Sequence, residues 1–190
     1  MLDQKVFIYV KDVVSIEMAN FMTEALRLKA ALGSVGDSQC PNAKVSVHNE
    51  LIFQTLLEKM WPKIEAVIGE KLIPTYCYSR LYGTDDVLEK HTDRDSCEVS
   101  MTVQLGRSHH YSWPIYMEGQ RFDLGVGEGI IYTGCTAEHW RDKCDPPDDT
   151  YYSGQVFLHY VKENGTRAEF AGDKLYEVLP YVRNRNHQLA

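Results

Sequence analysis

Apolar residues recur at helical spacing along the first third of the chain. From Ser15 onward Met18, Phe21, Met22, Ala25, Leu28 and Leu32 return every three or four residues, with Ser15 placed to cap the start and Gly33 to stop the end. The pattern predicts an amphipathic helix. A second one opens after an Asn49 cap, carries Phe53, Leu56, Leu57, Met60, Ile64, Val67 and Ile68 on one face, and meets Gly69. Pro62 inside it predicts either a kink or the start of a new segment. Between the helices, Gly33 to His48 is rich in Gly, Ser, Asn and Asp and reads as a loop beside a site, since loops of this length are uncommon without a use.

After Pro74 the period shortens to two. Tyr76, Tyr78, Arg80 and Tyr82 share one face of a strand and Cys77, Ser79 and Leu81 the other. Val99, Met101, Val103 and Leu105 alternate with Glu98, Ser100, Thr102 and Gln104, and further runs cover 113–117, 121–124, 128–132 and 151–161. At least six short strands cut by Gly, Asp and Pro predict a jelly roll, that is, a double-stranded β-helix of the cupin-like kind. The fold class is then α+β, with the N-terminal helices packed on one sheet. One domain is expected over 1–190: a helical part to about 73, the β-helix core from about 74 to 162, and a C-terminal extension over 163–190, whose residues 181–187 read as frayed or used locally.

Composition narrows the function classes. With 27 Asp+Glu against 20 Lys+Arg and no basic run, the chain offers nucleic acid no surface. No apolar stretch approaches the ~20 residues of a membrane helix, and the start Met1-Leu-Asp-Gln-Lys lacks a secretory signal, so a cytoplasmic location away from membranes is expected. The five cysteines are widely spaced without a CxxC pair, which reads as reduced thiols and not as disulfides or a thiolate zinc site.

Candidate chemistry concentrates in Tyr82-Gly-Thr-Asp-Asp-Val-Leu-Glu-Lys-His91-Thr-Asp93-Arg94. Two residues apart on extended backbone, His91 and Asp93 project to one side and reach one metal ion. Such a pair alone is common, and its bland reading is a hydrogen bond at a strand end. A third donor, His139, follows the later segment Leu124-Gly-Val-Gly-Glu-Gly-Ile-Ile-Tyr-Thr-Gly-Cys-Thr-Ala-Glu. Two imidazoles and a carboxylate on one face of an octahedral ion leave three positions open, the set used by non-haem Fe(II) oxygenases. Other motifs carry less. Gly125-Val-Gly127-Glu-Gly129 lacks dinucleotide-binding spacing and reads as a turn, His109-His110 as a hairpin loop, Asp145 to Asp149 as an exposed turn, and Asn164-Gly-Thr166 as a glycosylation acceptor without a secretory route.

These residues, in this order, resemble the 2-oxoglutarate and Fe(II)-dependent oxygenases, and within them the prolyl 4-hydroxylase-like group. The resemblance covers roughly 74–161. It rests on Tyr82 nine positions before His91, a Trp-Pro strand, a Gly-rich turn, a histidine after a strand, and a last strand ending Phe157-Leu158-His159. It implies His91, Asp93 and His139 as iron ligands, 2-oxoglutarate and O2 as co-substrates, and hydroxylation of an aliphatic C–H bond in a peptide residue such as proline, an amino acid or a small metabolite. One departure stands out. The basic residue that this group places about ten positions after the distal histidine falls here at Thr150 or Tyr151. A buried dicarboxylate needs a counter-charge. Arg80, in phase with Tyr78 and with Tyr82, which matches a tyrosine that bonds the co-substrate in this group, is the expected substitute, and Arg141 the competing one. His159 reads either as lying near the bound keto acid, as a packed histidine, or as an alternative distal ligand. Arg94 and Glu98 are candidate substrate contacts. Two other functions stay open: an iron oxidase or cyclase that does not use 2-oxoglutarate, and a non-catalytic cupin-like metal-binding module. A halogenase is disfavoured because Asp93 is present.

Overall fold

The computed structural model describes residues 5–108, 110–146 and 148–173; the expected tail element at 181–187 and His109 lie outside them. Among the described residues two α-helices and ten strands follow one another as β1 (Phe7–Val10), α1 (Ile16–Ala31), β2 (Val45–His48), α2 (Leu51–Ile68), β3 (Leu72–Tyr82), β4 (Leu88–His91), β5 (Val99–Arg107), β6 (Ile115–Met117), β7 (Gln120–Phe122), β8 (Gly129–Tyr132), β9 (His139–Arg141) and β10 (Ser153–Lys162). All pairings are antiparallel. Six strands in the order β1-β8-β5-β10-β3-β2 form one sheet and four in the order β4-β9-β6-β7 the other, a jelly-roll arrangement.

The long strands β3, β5 and β10 fall where alternation predicted them, because each shows four or more in-and-out positions. The face assignment for β3 also holds. Tyr76, Tyr78 and Arg80 stand opposite His159, Phe157 and Gln155 of β10, while Cys77 and Leu81 join the main core with Met101, Val103, Val156 and Leu158. Four short strands were not expected. β2 closes the segment read as a loop from Gly33 to His48, and β1 pairs along β8; both complete the larger sheet from the chain's first third. β4 and β9 hold only three or four residues each, mostly polar, too few to show a period.

Helix α1 starts as expected, with the Ser15 Oγ accepting from the Met18 amide at 3.2 Å. Its buried face does not match the expectation. Ala19, Met22, Thr23 and Leu26 are buried, while Met18, Phe21, Leu28 and Leu32 are 46%, 64%, 61% and 78% exposed. The reason is steric. A Cβ placed on Gly106 of β5 would stand 2.6 Å from the Thr23 Oγ1, and one on Gly154 of β10 would stand 3.2 Å from it, so the helix seats its small residues against glycines of the sheet. Helix α2 runs unbroken through Pro62 and buries Phe53, Leu56, Leu57, Met60 and Ile64. Its N-cap is Glu50. Asn49 instead takes a left-handed turn (φ 53°) and accepts from the Cys77 amide at 3.1 Å. The Tyr160 hydroxyl donates to the Leu57 carbonyl at 2.7 Å, tying α2 to β10.

Candidate metal centre

The smaller sheet delivers two of the three donors. His91 ends β4, His139 begins β9, and the two are register partners with ring centroids 4.3 Å apart. Asp93 follows β4 by two residues, held by its amide, which donates to the Gly134 carbonyl at 2.9 Å. His91 Nε2 lies 3.7 Å and His139 Nε2 3.5 Å from Asp93 Oδ1, and the three donor atoms all fall within 4.8 Å of one another.

Hydrogen bonds behind these atoms decide what they offer. His91 Nδ1 stands 2.7 Å from the Glu89 carbonyl and His139 Nδ1 2.9 Å from the Ala137 carbonyl. A carbonyl only accepts, so each Nδ1 carries the proton and each Nε2 presents a lone pair to the shared point. Asp93 Oδ2 accepts from Ser100 Oγ at 3.2 Å and Tyr132 OH at 3.4 Å, which leaves Oδ1 facing the imidazoles. Burial alone would push the Asp93 carboxyl up; the hydrogen bond and charge of His139, then His159 and His91, outweigh it and hold the group well below the usual carboxylate range. Burial lowers His139 less than Asp93 raises it, whereas burial and the neighbouring His139 lower His91. Two lone pairs and one carboxylate oxygen converging in this way fit a divalent first-row metal ion.

A cavity of about 350 Å³ opens onto the three donors and is lined further by Tyr76, Tyr78, Arg80, Arg94, Phe157 and His159. Asp37, Ser38 and Gln39, from the segment read as a loop beside a site, form part of its wall, as does His48 of β2. Arg80 is committed within it. Its Nε and Nη2 donate to Asp37 Oδ2 at 3.0 and 2.7 Å, Nη2 also to Gln39 Oε1 at 2.5 Å, and Nη1 to Tyr82 OH at 3.2 Å. Tyr78 OH donates to the same Asp37 oxygen. Arg141 differs. It is 2% exposed, lies over the Trp113 ring at 5.0 Å, and donates through Nη1 to the Trp113 carbonyl, yet among the described residues no acceptor is within hydrogen-bonding distance of its Nε or Nη2. Burial lowers its pKa while the nearby phenols of Tyr82 and Tyr151 raise it.

The remaining candidates separate. His159 lines the cavity with Nδ1 2.9 Å from Ser100 Oγ and its ring 4.6 Å from that of Tyr76. With Asp93 and Cys97 it forms a second group whose donor atoms lie within 4.8 Å. There burial pushes the Cys97 thiol up and the thiol sits 3.1 Å from Tyr76 OH, so holding a metal through it would cost that hydrogen bond and a proton that burial favours. Arg94 reaches Tyr76 OH at 3.3 Å and Asp173 at 2.5 Å on the cavity wall. Glu98 stands outside the cavity and accepts from the Lys162 amide at 2.9 Å. All five cysteines are free.

The same two-sheet architecture occurs in solved structures. A Pseudomonas putida prolyl-4-hydroxylase superposes with a TM-score of 0.63 at 13% identity, covering 86% of this chain and 96% of that one. The viral collagen prolyl hydroxylase of Paramecium bursaria Chlorella virus-1, solved as a 2-oxoglutarate complex, gives 0.62 at 10% identity over 83% and 97%. HygX from Streptomyces hygroscopicus, with nickel and 2-oxoglutarate bound, gives 0.64 at 12% over 87% and 86%. The fold is that of the 2-oxoglutarate and Fe(II)-dependent oxygenases. At these identities the likeness is one of fold. No protein-family model matches the sequence, and no curated protein does.

Proposed function

We propose that this chain is an Fe(II)- and 2-oxoglutarate-dependent dioxygenase that hydroxylates an aliphatic C–H bond in a peptide residue such as proline, an amino acid or a small metabolite. The observation that carries the reading is the convergence of His91 Nε2, His139 Nε2 and Asp93 Oδ1 at the mouth of a jelly roll, with both Nδ1 atoms tied back to carbonyls. These three residues would hold the iron. When bound there, Fe(II) with 2-oxoglutarate and O2 supplies oxidative decarboxylation of the keto acid to succinate and CO2, coupled to hydroxylation of the substrate.

The protein's own part is positional. Ser100 and Tyr132 hold the far oxygen of Asp93, and Tyr76, Tyr78 and Phe157 form an apolar wall that limits water and seats the substrate. Arg141 supports the role of cation for the distal carboxylate of the co-substrate, because a buried guanidinium without an acceptor on two nitrogens is costly until an anion completes it. Arg80 already has a carboxylate partner in Asp37. The free cysteines suit a reducing compartment such as the cytoplasm.

Anaerobic titration with Fe(II) and then 2-oxoglutarate tests the reading. The expected result is one iron per chain and a weak visible charge-transfer band when the keto acid is added, both lost on His91→Ala, Asp93→Ala or His139→Ala, with succinate release on admitting O2. Iron binding with no band and no succinate would overturn the 2-oxoglutarate reading in favour of an oxidase or a binding module.

A further inference from the structure

Cys97 differs from Cys40, Cys77 and Cys135 in what it touches. The sulfurs of those three meet amide oxygens, of Val87, Asn49 and Arg94, whereas the Cys97 Sγ stands 3.1 Å from the Tyr76 hydroxyl, a side chain that can itself be oxidised. Both members of the pair are buried. Both are also held. The Thr75 Oγ1 donates to the Ser96 carbonyl at 2.7 Å and the Cys97 amide to the Arg94 carbonyl at 2.9 Å, which pins the short turn Asp95–Cys97 against β3 beside Tyr76. The phenol ring packs against the His159 ring at 4.6 Å and under the Arg94 guanidinium at 4.7 Å.

The pair lies against the metal centre. Cys97 Sγ falls within 4.8 Å of an Asp93 carboxylate oxygen and of a His159 ring nitrogen, and Tyr76 lines the cavity onto which the three metal donors open. We propose that, in a turnover without bound substrate, the centre joins its own Cys97 to Tyr76 through a thioether, from Sγ to the ring carbon ortho to the hydroxyl. The step rests on the dioxygenase reading above and balances with its co-substrates. The S–H and the ortho C–H bonds break and the S–C bond forms; the two electrons and two protons released, with the two electrons from decarboxylation of the keto acid, reduce O2. Thiol, phenol, 2-oxoglutarate and O2 thus give thioether, succinate, CO2 and water. The ortho carbon is the acceptor because the hydroxyl enriches it in electrons and the sulfur already stands at that hydroxyl. The bond would fasten the turn that follows Asp93 to β3, and it would leave the hydroxyl in place for Arg94, whose Nε donates to it at 3.3 Å.

Intact-mass measurement of the full chain tests the bond, first as prepared in chelator without oxygen and then after Fe(II), 2-oxoglutarate and O2 are supplied with no other substrate. The expected change is a loss of two hydrogens that survives a reducing agent, which removes disulfides from consideration. Trypsin should then release Leu72–Arg80 and Asp95–Arg107 as one branched peptide, with fragmentation placing the junction at Tyr76 and Cys97. Cys97→Ser and Tyr76→Phe should each abolish it, and Cys77→Ser, in the same tryptic peptide, should not. Because the branched peptide is read on the unaltered chain, misfolding of a variant does not decide the result. The charge-transfer band and succinate, recorded on the same samples, separate this inference from the reading beneath it. Band and succinate with an unchanged mass overturn the thioether and leave the dioxygenase standing. A gain of one oxygen at either residue overturns it as well, since the turnover then oxidises the side chains singly. An unchanged mass with neither band nor succinate removes both readings, whereas a branched peptide formed without the band upholds the thioether and assigns it to an iron centre that does not use the keto acid.

Discussion

Arg80 and Arg141 are chemically the same side chain in unlike surroundings, and the difference sets what each contributes to anion binding. Asp37 accepts two hydrogen bonds from Arg80 and one from Tyr78, so an incoming carboxylate at Arg80 would have to displace a charge-assisted partner before gaining its own. The Nε and Nη2 of Arg141 have no acceptor to give up, although the side chain is 2% exposed and does not line the cavity, so the anion must reach it beyond the lining residues. We expect Arg141→Gln to raise the apparent 2-oxoglutarate dissociation constant at least ~tenfold, about 1.4 kcal/mol, with iron affinity nearly unchanged, and Arg80→Gln to raise it less than about threefold. Asp37→Asn supplies the cross-check by removing the competing charge from Arg80. Calorimetric titration of the Fe(II)-loaded protein should find its 2-oxoglutarate affinity within about twofold of wild type. A marked tightening would show that Arg80 is the anion seat and that Asp37 holds its place.

At the level of elements, the centre depends on how closely the turn after β8 approaches the one after β4. Gly134 lies over the carboxylate: a Cβ there would stand 2.4 Å from the Cys97 carbonyl, 2.5 Å from Asp93 Oδ2 and 2.6 Å from Ser100 Oγ. Two of these belong to the network that aims Asp93. Gly134→Ala should therefore weaken metal binding by one to two orders of magnitude, the range seen when groups supporting a ligand are disturbed, while the helical signal is kept. Equilibrium dialysis with Mn(II) or Fe(II) measures it, and an unchanged affinity would mean that Asp93 is not held through this contact. Sequence alone did not single out Gly134, since nothing in its neighbours marks a contact made across the barrel. The same limit applies to Ser100 and Tyr132, which enter the site through tertiary pairing, while Asp37 and His48 are reached only through their segment, read as a loop beside a site. What was legible had a period or a spacing: β3, β5 and β10 through alternation, α2 through its apolar face, and His91 with Asp93 through extended geometry. Helix α1 shows where periodicity misleads. Its two apolar faces are equally regular, and only the glycines of β5 and β10 decide which one packs.

In the molecule as a whole, one titratable side chain sits where a proton reaches the entire fold. His159 is buried on β10, the strand that joins β3 to β5 inside the six-stranded sheet, at the position where its register with β3 shifts. Burial lowers its pKa to about 4, with Arg94, His139 and His48 adding to the effect and Asp93 opposing it. An unfolded histidine titrates near ~6.5. Between these values the unfolded chain binds a proton that the native chain refuses, so stability rises with pH across the window and is lost as pH falls through it. The neutral side chain thus contributes its full stabilisation above about pH 6.5, and at pH 5 about 2 kcal/mol of it is gone. His91, also lowered, acts in the same direction, and His139, raised, acts against it. Carboxylates held low, such as Asp93 and Asp37, lose their contribution only below their unfolded range near ~4. Urea unfolding of the metal-free protein in chelator, at pH 7, 6 and 5, isolates the His159 contribution when repeated on His159→Gln, which keeps a hydrogen-bonding group beside Ser100 but does not titrate. The variant should start less stable at pH 7 and decline with a visibly shallower slope. Parallel slopes in the two proteins would assign the acid sensitivity to His91 and leave His159 a packed bystander.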